Sequence, residues 1–234
     1  MRVADRSRSP QERVSSDGFA ILPEVVSECE IADLKAMLDR SELPRSRAGM
    51  RHAMRNARVA ALARDSRLMA MAQEVLGRAA LPFRATLFDK SPASNWFVVW
   101  HQDTALPLCE RREVPGWGPW SIKDDVHYAH APASALEQVL ALRLHLDDSI
   151  AENGPLRVLP GTHSLGVLSD EALHDLSRQI VAVDCTVPRG GILAMRPLVV
   201  HSSSKSRSNL PRRVLHMEYA ASLVFDQGLT LEVV

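Results

Sequence analysis

The chain changes its grammar at Leu81. Upstream, apolar residues recur at helical spacing. Downstream they come in short runs, at 83–89, 95–101, 139–147, 156–159, 180–187, 191–195, 198–202 and 212–220, punctuated by proline, glycine and asparagine. Runs this short bury themselves by pairing across sheets, so 81–220 reads as a mainly β core of the sandwich or barrel kind. With 234 residues, 46% of them hydrophobic, the chain supports one elaborated domain (1–234) rather than two.

The segment 17–80 reads as helical support for that core. Ser27 and Glu30 form a capping-box pattern ahead of Ile31, Leu34 and Leu38, which share one helical face and predict a helix over 28–40. A second pattern runs from Ser66 through Leu68, Met71, Val75 and Leu76, with Gly77 placed for a left-handed C-terminal cap. Residues 1–16 are rich in arginine and serine without an apolar run, and are expected to be a flexible, solvated tail. Asp5, Pro10 and Glu12 argue against a transit peptide. Lys plus Arg and Asp plus Glu both total 28, so no net field favours nucleic acid or an anionic membrane, and a small molecule is the expected partner. Three scattered cysteines, Cys29, Cys109 and Cys185, lack the spacing of a disulfide framework or a structural zinc site and suit a reducing cytoplasm.

Between the strand-like runs, 104–133 carries Pro107, Pro115, Gly116, Gly118, Pro119 and Pro132 with little periodicity, and is read as a long connection. Connections of that length are frequently lids or binding loops, which makes Trp117, Trp120 and Tyr128 candidate substrate contacts. The plainer alternative is a surface excursion whose tryptophans pack onto the barrel. A second candidate for an anionic substrate is the arginine-rich segment 45–67, for which a solvated face is the commoner explanation.

In Trp100-His101-Gln102-Asp103 the two-residue period of a strand turns the imidazole and the carboxylate to one face and Gln102 to the other. His201 closes the apolar run Leu198-Val199-Val200 and can reach them from a neighbouring strand. Two imidazoles and one carboxylate on one side of a metal leave open positions, the ligand set of non-haem iron(II) oxygenases, so His101, Asp103 and His201 are the candidate catalytic metal ligands. His145 and Asp147 form a rival H-x-D pair. Downstream, Arg212-Arg213 places a planar guanidinium, suited to a carboxylate, on the next strand. Along that strand Arg212, Val214, His216 and Glu218 alternate with Arg213, Leu215, Met217 and Tyr219. An apolar outer face covered by helices would leave Arg212 looking into the barrel, with Arg213 as the alternative inward residue. Asn153-Gly154-Pro155 and Gly190-Gly191 read as turns.

Four motifs in order, WHQD at 100–103, ENGPLRVLPGTH at 152–163, PRGGILAMRPLVVHSSS at 188–204 and RRVLHMEYA at 212–220, resemble the phytanoyl-CoA dioxygenase family of iron(II)/2-oxoglutarate oxygenases. The resemblance covers about 81–220 and implies a double-stranded β-helix, the jelly roll of cupin-like proteins. It implies iron(II) on His101, Asp103 and His201, with 2-oxoglutarate and dioxygen as cosubstrates. It also implies that Arg212, eleven residues beyond His201, grips the far carboxylate of 2-oxoglutarate. Ser203, and less directly Thr104 and Lys90, are further cosubstrate candidates, with an ordinary surface lysine as the alternative for Lys90. Hydroxylation of a small-molecule C–H bond is the implied reaction, since relatives that transfer halogen lack the carboxylate that Asp103 supplies. The competing readings are a cupin-like metalloenzyme, or a small-molecule binding protein, that does not use 2-oxoglutarate. Arg212 is the residue that separates them from an oxygenase.

Overall fold

The computed structural model describes residues 8–46, 48–91, 94–225 and 228–234. In chain order the elements are α1 (Pro10–Asp17), β1 (Phe19–Leu22), α2 (Glu28–Asp39), β2 (Arg45–Ser46), β3 (Gly49–Met50), α3 (Ala57–Ala63), α4 (Ser66–Leu76), β4 (Leu81–Lys90) and β5 (Val98–His101). There follow β6 (Ala105–Leu108), β7 (Trp120–Lys123), β8 (Val126–His130), α5 (Ala133–Leu136), β9 (Val139–His145), β10 (Leu156–Val158), α6 (Asp170–Gln179), β11 (Val183–Cys185), β12 (Ile192–Met195), β13 (His201–Ser203) and β14 (Arg212–Ala220). A large sheet runs β1-β12-β9-β14-β4-β3-β2 and a smaller one β11-β10-β13-β5. Every pairing within them is antiparallel, in the expected jelly-roll arrangement.

The strand at the centre, β14, is bonded to β4 on one side and β9 on the other. Its alternation sorts the barrel into an outside and an inside. Leu215, Met217 and Tyr219, with Leu140, Leu142 and Leu144 of β9, face outward into an apolar core shared with Ile31, Leu34 and Leu38 of α2 and Leu68 and Ala72 of α4. Tyr219 is tied to this layer by its hydroxyl, which donates to the Ala63 carbonyl at 2.9 Å. Inside, Ala141, Leu193 and Met195 of the large sheet meet Leu156, Val158 and Cys185 of the small one. Strand β9 is buried at every position because it is covered on both faces.

The helices begin and end where local chemistry directs. Ser27 and Glu30 close the capping box of α2, with Ser27 N–H donating to the Glu30 carboxylate at 2.9 Å. Gly77, at φ +68°, caps α4 in the left-handed region that a side chain would disfavour. Among the described residues no helix is long and apolar enough to cross a membrane.

The sequence expectations need three corrections. Residues 1–7 lie outside the described residues, but from Ser9 onward the expected tail is a helix, α1, closed by a second capping box, Ser9–Glu12, and anchored by Val14. The segment 104–133 is not an irregular connection, because β6, β8 and β7 form a third antiparallel sheet. Leu106, Leu108 and Ala129 seat it against Phe83, Phe225 and Leu231. Its strands are too short for their period to show, and the β7–β8 turn uses Asp124 and Asp125 at φ +49° and +65° instead of a glycine signal. Finally, the run expected as a strand at 180–187 is a strand only at 183–185, preceded by α6.

Leu142, fully buried between the large sheet and the helical layer, gauges that packing. Leu142→Ala is expected to cost about 2–5 kcal/mol through lost burial and a residual cavity. Urea unfolding should show it as a lower midpoint at unchanged slope.

Candidate metal centre

His101 and His201 are directly opposed across the β5–β13 pairing, which brings residues far apart in sequence into contact. Their ring centroids lie 4.1 Å apart. Each ring is oriented by its own strand, with Nδ1 of His101 2.8 Å from the Val99 carbonyl and Nδ1 of His201 2.9 Å from the Val199 carbonyl. A carbonyl only accepts, so Nδ1 carries a proton in both rings and Nε2 is the ring atom left to bind a metal. Asp103 lies just past the end of β5 rather than on it, fixed by its N–H donating to the Pro197 carbonyl at 2.9 Å. Its carboxylate oxygens stand 3.7 Å from His101 Nε2 and 3.6 Å from His201 Nε2.

One donor atom from each of the three residues lies within 4.8 Å of the other two, and among the described residues this is the one such group of His, Cys, Asp and Glu. Burial pushes the His201 pKa down to about 3, so the imidazole is neutral and free to donate its lone pair. Burial works to raise the Asp103 pKa, but His201, His101, His216 and Arg143 outweigh it and hold the carboxyl below its usual range. Two imidazoles and one carboxylate, pre-aimed at a common point, fit a divalent iron with open positions. Gln102, also past the end of β5, is held by its own side-chain bonds and not by a strand period. Its amide donates to the Gly166 and Leu198 carbonyls and accepts from Leu168 N–H, locking the β5 end to two flanking segments.

The rival pair does not assemble. Asp147 faces outward and is paired with Lys35 at 2.7 Å and Arg213 at 2.8 Å, while His145 is buried with neither ring nitrogen partnered. The same contacts separate the two adjacent arginines: Arg213 is held by Asp147, and Arg212 points into the barrel. Arg212 donates to Ser203 Oγ at 3.3 Å and its buried Nε has no partner. Lys90, directly opposite Arg212 in the β14–β4 register, is only 1% exposed, so it is no ordinary surface lysine. Its ammonium donates to Ser203 Oγ at 2.8 Å and to the Ser204 carbonyl at 2.7 Å, and Ser203 in turn donates to the Gly154 carbonyl at 3.0 Å. Burial, then Arg212, lowers the Lys90 pKa to about 7. A cavity of about 80 Å³ joins Arg212 and Ser203 to all three metal-site residues.

A larger cavity of about 300 Å³ opens on the other side of Asp103. Thr104 and Tyr128 border this one, with Thr104 Oγ1 2.7 Å from His130 Nδ1. Trp117 is instead packed on Phe225 in the apolar cluster under the third sheet, and Trp120 leans on the same cluster, so neither borders the metal site. Among the described residues of the arginine-rich segment, Arg51 alone reaches this cavity, and Arg47 lies outside the described residues.

Sequence reasoning missed a buried charged chain on the inner faces of β9, β14 and β4. Arg143 donates to His216 Nδ1 at 2.8 Å, His216 Nε2 lies 3.4 Å from Glu218, and Glu218 holds Arg84 through two parallel hydrogen bonds. Alternation along β14 was the available signal, since His216 and Glu218 share the face of Arg212.

Metal-ready imidazoles in a jelly roll, with a buried guanidinium nearby, define the class of iron(II)/2-oxoglutarate oxygenases. The family profile described as phytanoyl-CoA dioxygenase (PhyH) matches residues 14–214, and the chain belongs to that family of iron(II)- and 2-oxoglutarate-dependent dioxygenases. It is 27% identical over 136 residues to an L-proline trans-4-hydroxylase of Streptomyces griseoviridis, an alignment covering 47% of this chain and 50% of that protein. The chain thus aligns with about half the length of that curated relative. Among solved structures it superposes on AviO1 from Streptomyces viridochromogenes Tue57 with a TM-score of 0.66 at 24% identity, covering 94% of this chain and 96% of that one. It superposes on EctD from S. alaskensis, solved with 2-oxoglutarate and 5-hydroxyectoine, with a TM-score of 0.69 at 20% identity, covering 94% and 79%. Both likenesses establish the shared fold.

Removing Glu218 tests the buried chain. Glu218→Ala leaves Arg84 uncompensated and is expected to destabilise by about 3–5 kcal/mol. The carboxyl's pKa is below its ordinary 4.5: burial opposes this, and Arg84 and His216 overcome it. A depressed carboxylate contributes stability above its unfolded pKa and loses it as pH falls. Wild-type stability should therefore drop below about pH 4.5 more steeply than that of the variant, as measured by denaturation across pH.

Proposed function

We propose that the chain hydroxylates a C–H bond of a small molecule bound in the larger cavity, using iron held by His101, Asp103 and His201 and 2-oxoglutarate held by Arg212, Ser203 and Lys90. The observation that carries this is the pair of strand-oriented imidazoles whose free Nε2 atoms converge with Asp103. When bound, iron with 2-oxoglutarate and dioxygen supplies the oxidising power, releasing succinate and carbon dioxide.

The residues of the chain provide position and charge. Arg212, with an orphaned Nε and one hydroxyl partner, retains donors for a carboxylate fork, and Ser203 ties it to Lys90, which sets a second cation behind that hydroxyl. That arrangement favours a dicarboxylate over a cupin-like enzyme without 2-oxoglutarate, which would have no use for a buried, unpaired guanidinium. Asp103 completes the ligand set and leaves open positions for the oxo acid and dioxygen. The curated relative and EctD, associated with proline and 5-hydroxyectoine respectively, support a polar small-molecule substrate here. Three free cysteines suit a cytoplasmic setting.

His201→Ala is expected to lower equilibrium iron(II) binding at least tenfold, on the order of what a lost ligand or its support costs, with far-ultraviolet circular dichroism retained. Anaerobic addition of iron(II) and 2-oxoglutarate to the wild type should give the visible charge-transfer absorption of a chelated oxo acid, and its absence from a metal-loaded sample would sink the reading. Arg212→Ala, leaving a carboxylate without its buried partner, is expected to raise the half-saturating 2-oxoglutarate concentration by about 30-fold or more, equivalent to 2 kcal/mol or above. Unchanged affinity would favour an enzyme that does not use 2-oxoglutarate. Lys90 is cationic below about pH 7 and neutral above it, so 2-oxoglutarate affinity should fall as pH rises through that value. Lys90→Met should flatten the dependence in the same titration.

A further inference from the structure

Given the oxygenase reading above, the larger cavity belongs to the substrate, and its charges say what that substrate carries. It runs from Asp103 past Thr104 and Tyr128 to Lys123 and Arg51, both exposed. Its volume of about 300 Å³ is at the small end for ligand sites and suits a compact metabolite; a coenzyme A thioester would leave its nucleotide outside.

Three cations border it, and they are not equivalent. Arg84 is fully engaged, with two bonds to Glu218 and a third, 3.0 Å, to the Ala105 carbonyl. Lys123 has no carboxylate partner among the described residues. Its ammonium sits 4.8 Å from the centroid of the Tyr128 ring, and burial, then Arg84 and Arg51, lowers its pKa. Among the described carboxylates Arg51 meets Asp124 alone, at 3.7 Å, with both side chains about half exposed, an arrangement too solvated to hold it firmly. Two cations are therefore gathered at the outer end of a cavity with little anion to share.

The backbone holds them there. His52, next to Arg51, is buried at φ +53°, in the left-handed region, and its Nε2 is 3.0 Å from the Tyr128 hydroxyl. Asp124 and Asp125, next to Lys123, also have positive φ. The His52–Tyr128 contact and the β7–β8 turn thus position the residues beside both cations.

We propose that the substrate is a small anion whose carboxylate or phosphate is bound by Lys123 and Arg51 at the outer end of the cavity, which leaves the C–H bond to be oxidised at the Asp103 end. The rest of the polar lining, Thr86, Thr104 and His130, then offers hydrogen bonds to a polar body.

The test is succinate release by the iron-loaded full chain with 2-oxoglutarate and oxygen. The probes are small carboxylic acids, the primary amides of the same acids, and small phosphate monoesters. Compounds that stimulate release are expected among the acids or the monoesters, and which class does so tells carboxylate from phosphate. With the best acid or monoester, the double variant Lys123→Gln, Arg51→Gln should raise half-saturation at least tenfold and bring its preference over the neutral analogue towards one; Lys123→Arg should keep it. An amide as effective as its acid, a panel in which no anion stimulates, or a double variant that retains the preference overturns the proposal. Failure of the oxygenase reading shows separately, as no charge-transfer band and no succinate even without a probe, and the proposal falls with it.

Discussion

The two faces of β14 govern the rest of the molecule. Leu215, Met217 and Tyr219 are drawn into the apolar layer beneath α2, α3 and α4, and because side chains alternate, Arg212, His216 and Glu218 are committed to the barrel interior. A register slip of one residue would turn three large apolar groups into the polar barrel interior and carry Arg213 inward, away from its partner Asp147. The hydrophobic effect at the helical layer thus places charges at the site that could not bury themselves.

Those charges are unequal. On the inner faces of the large sheet stand Arg84, Lys90, Arg143 and Arg212, while Glu218 and the nearby Asp103 are the facing carboxylates among the described residues. Glu218 is used by Arg84, and Asp103 is turned to the imidazoles. Arg143 offsets part of its desolvation by stacking 5.2 Å over Phe88 and donating to His216, leaving its Nε without a partner. Burial depresses the pKa of both Arg143 and Arg212, and repulsion from Arg143 adds to it at Arg212. Such an interior is least satisfied when empty of anions, and a dicarboxylate lowers its free energy by answering the unmatched cations.

Much of this was legible in the amino-acid sequence where a period of two or 3.6 runs long enough. The inward turn of Arg212 and the helical cover follow from β14, nine residues long, and the caps of α2 and α4 from Ser27, Glu30 and Gly77. The convergence of His101 on His201 was readable only through motif order, because strand pairing is a tertiary fact that neither strand encodes alone. What escaped was short or non-periodic: α1, whose eight residues bury Val14 alone, and β6, β7 and β8, at four or five residues each. The tryptophans of that segment looked like ligand contacts because aromatic rings in a proline-rich stretch carry no sign of which surface they face. Trp117 faces Phe225. Arg51 was hidden among its neighbours, since nothing in a run of arginines says which one a later sheet will bring to a cavity.

Asp103 borders both cavities, and that shared wall orders the chemistry. The smaller space ends in Arg212 and Ser203, deep in the barrel, whereas the larger opens toward Lys123 and Arg51 under the third sheet. On the proposed reading, cosubstrate and substrate would lie on either side of Asp103 instead of competing for one volume, and each would meet its own cation. Phe88, which faces both spaces, and the locked Gln102 amide keep that partition rigid. Because β14 and β4 supply the deep cations while β7 and the segment before α3 supply the outer ones, substitutions at the outer cavity leave the barrel strands that carry Arg212 and Lys90 untouched.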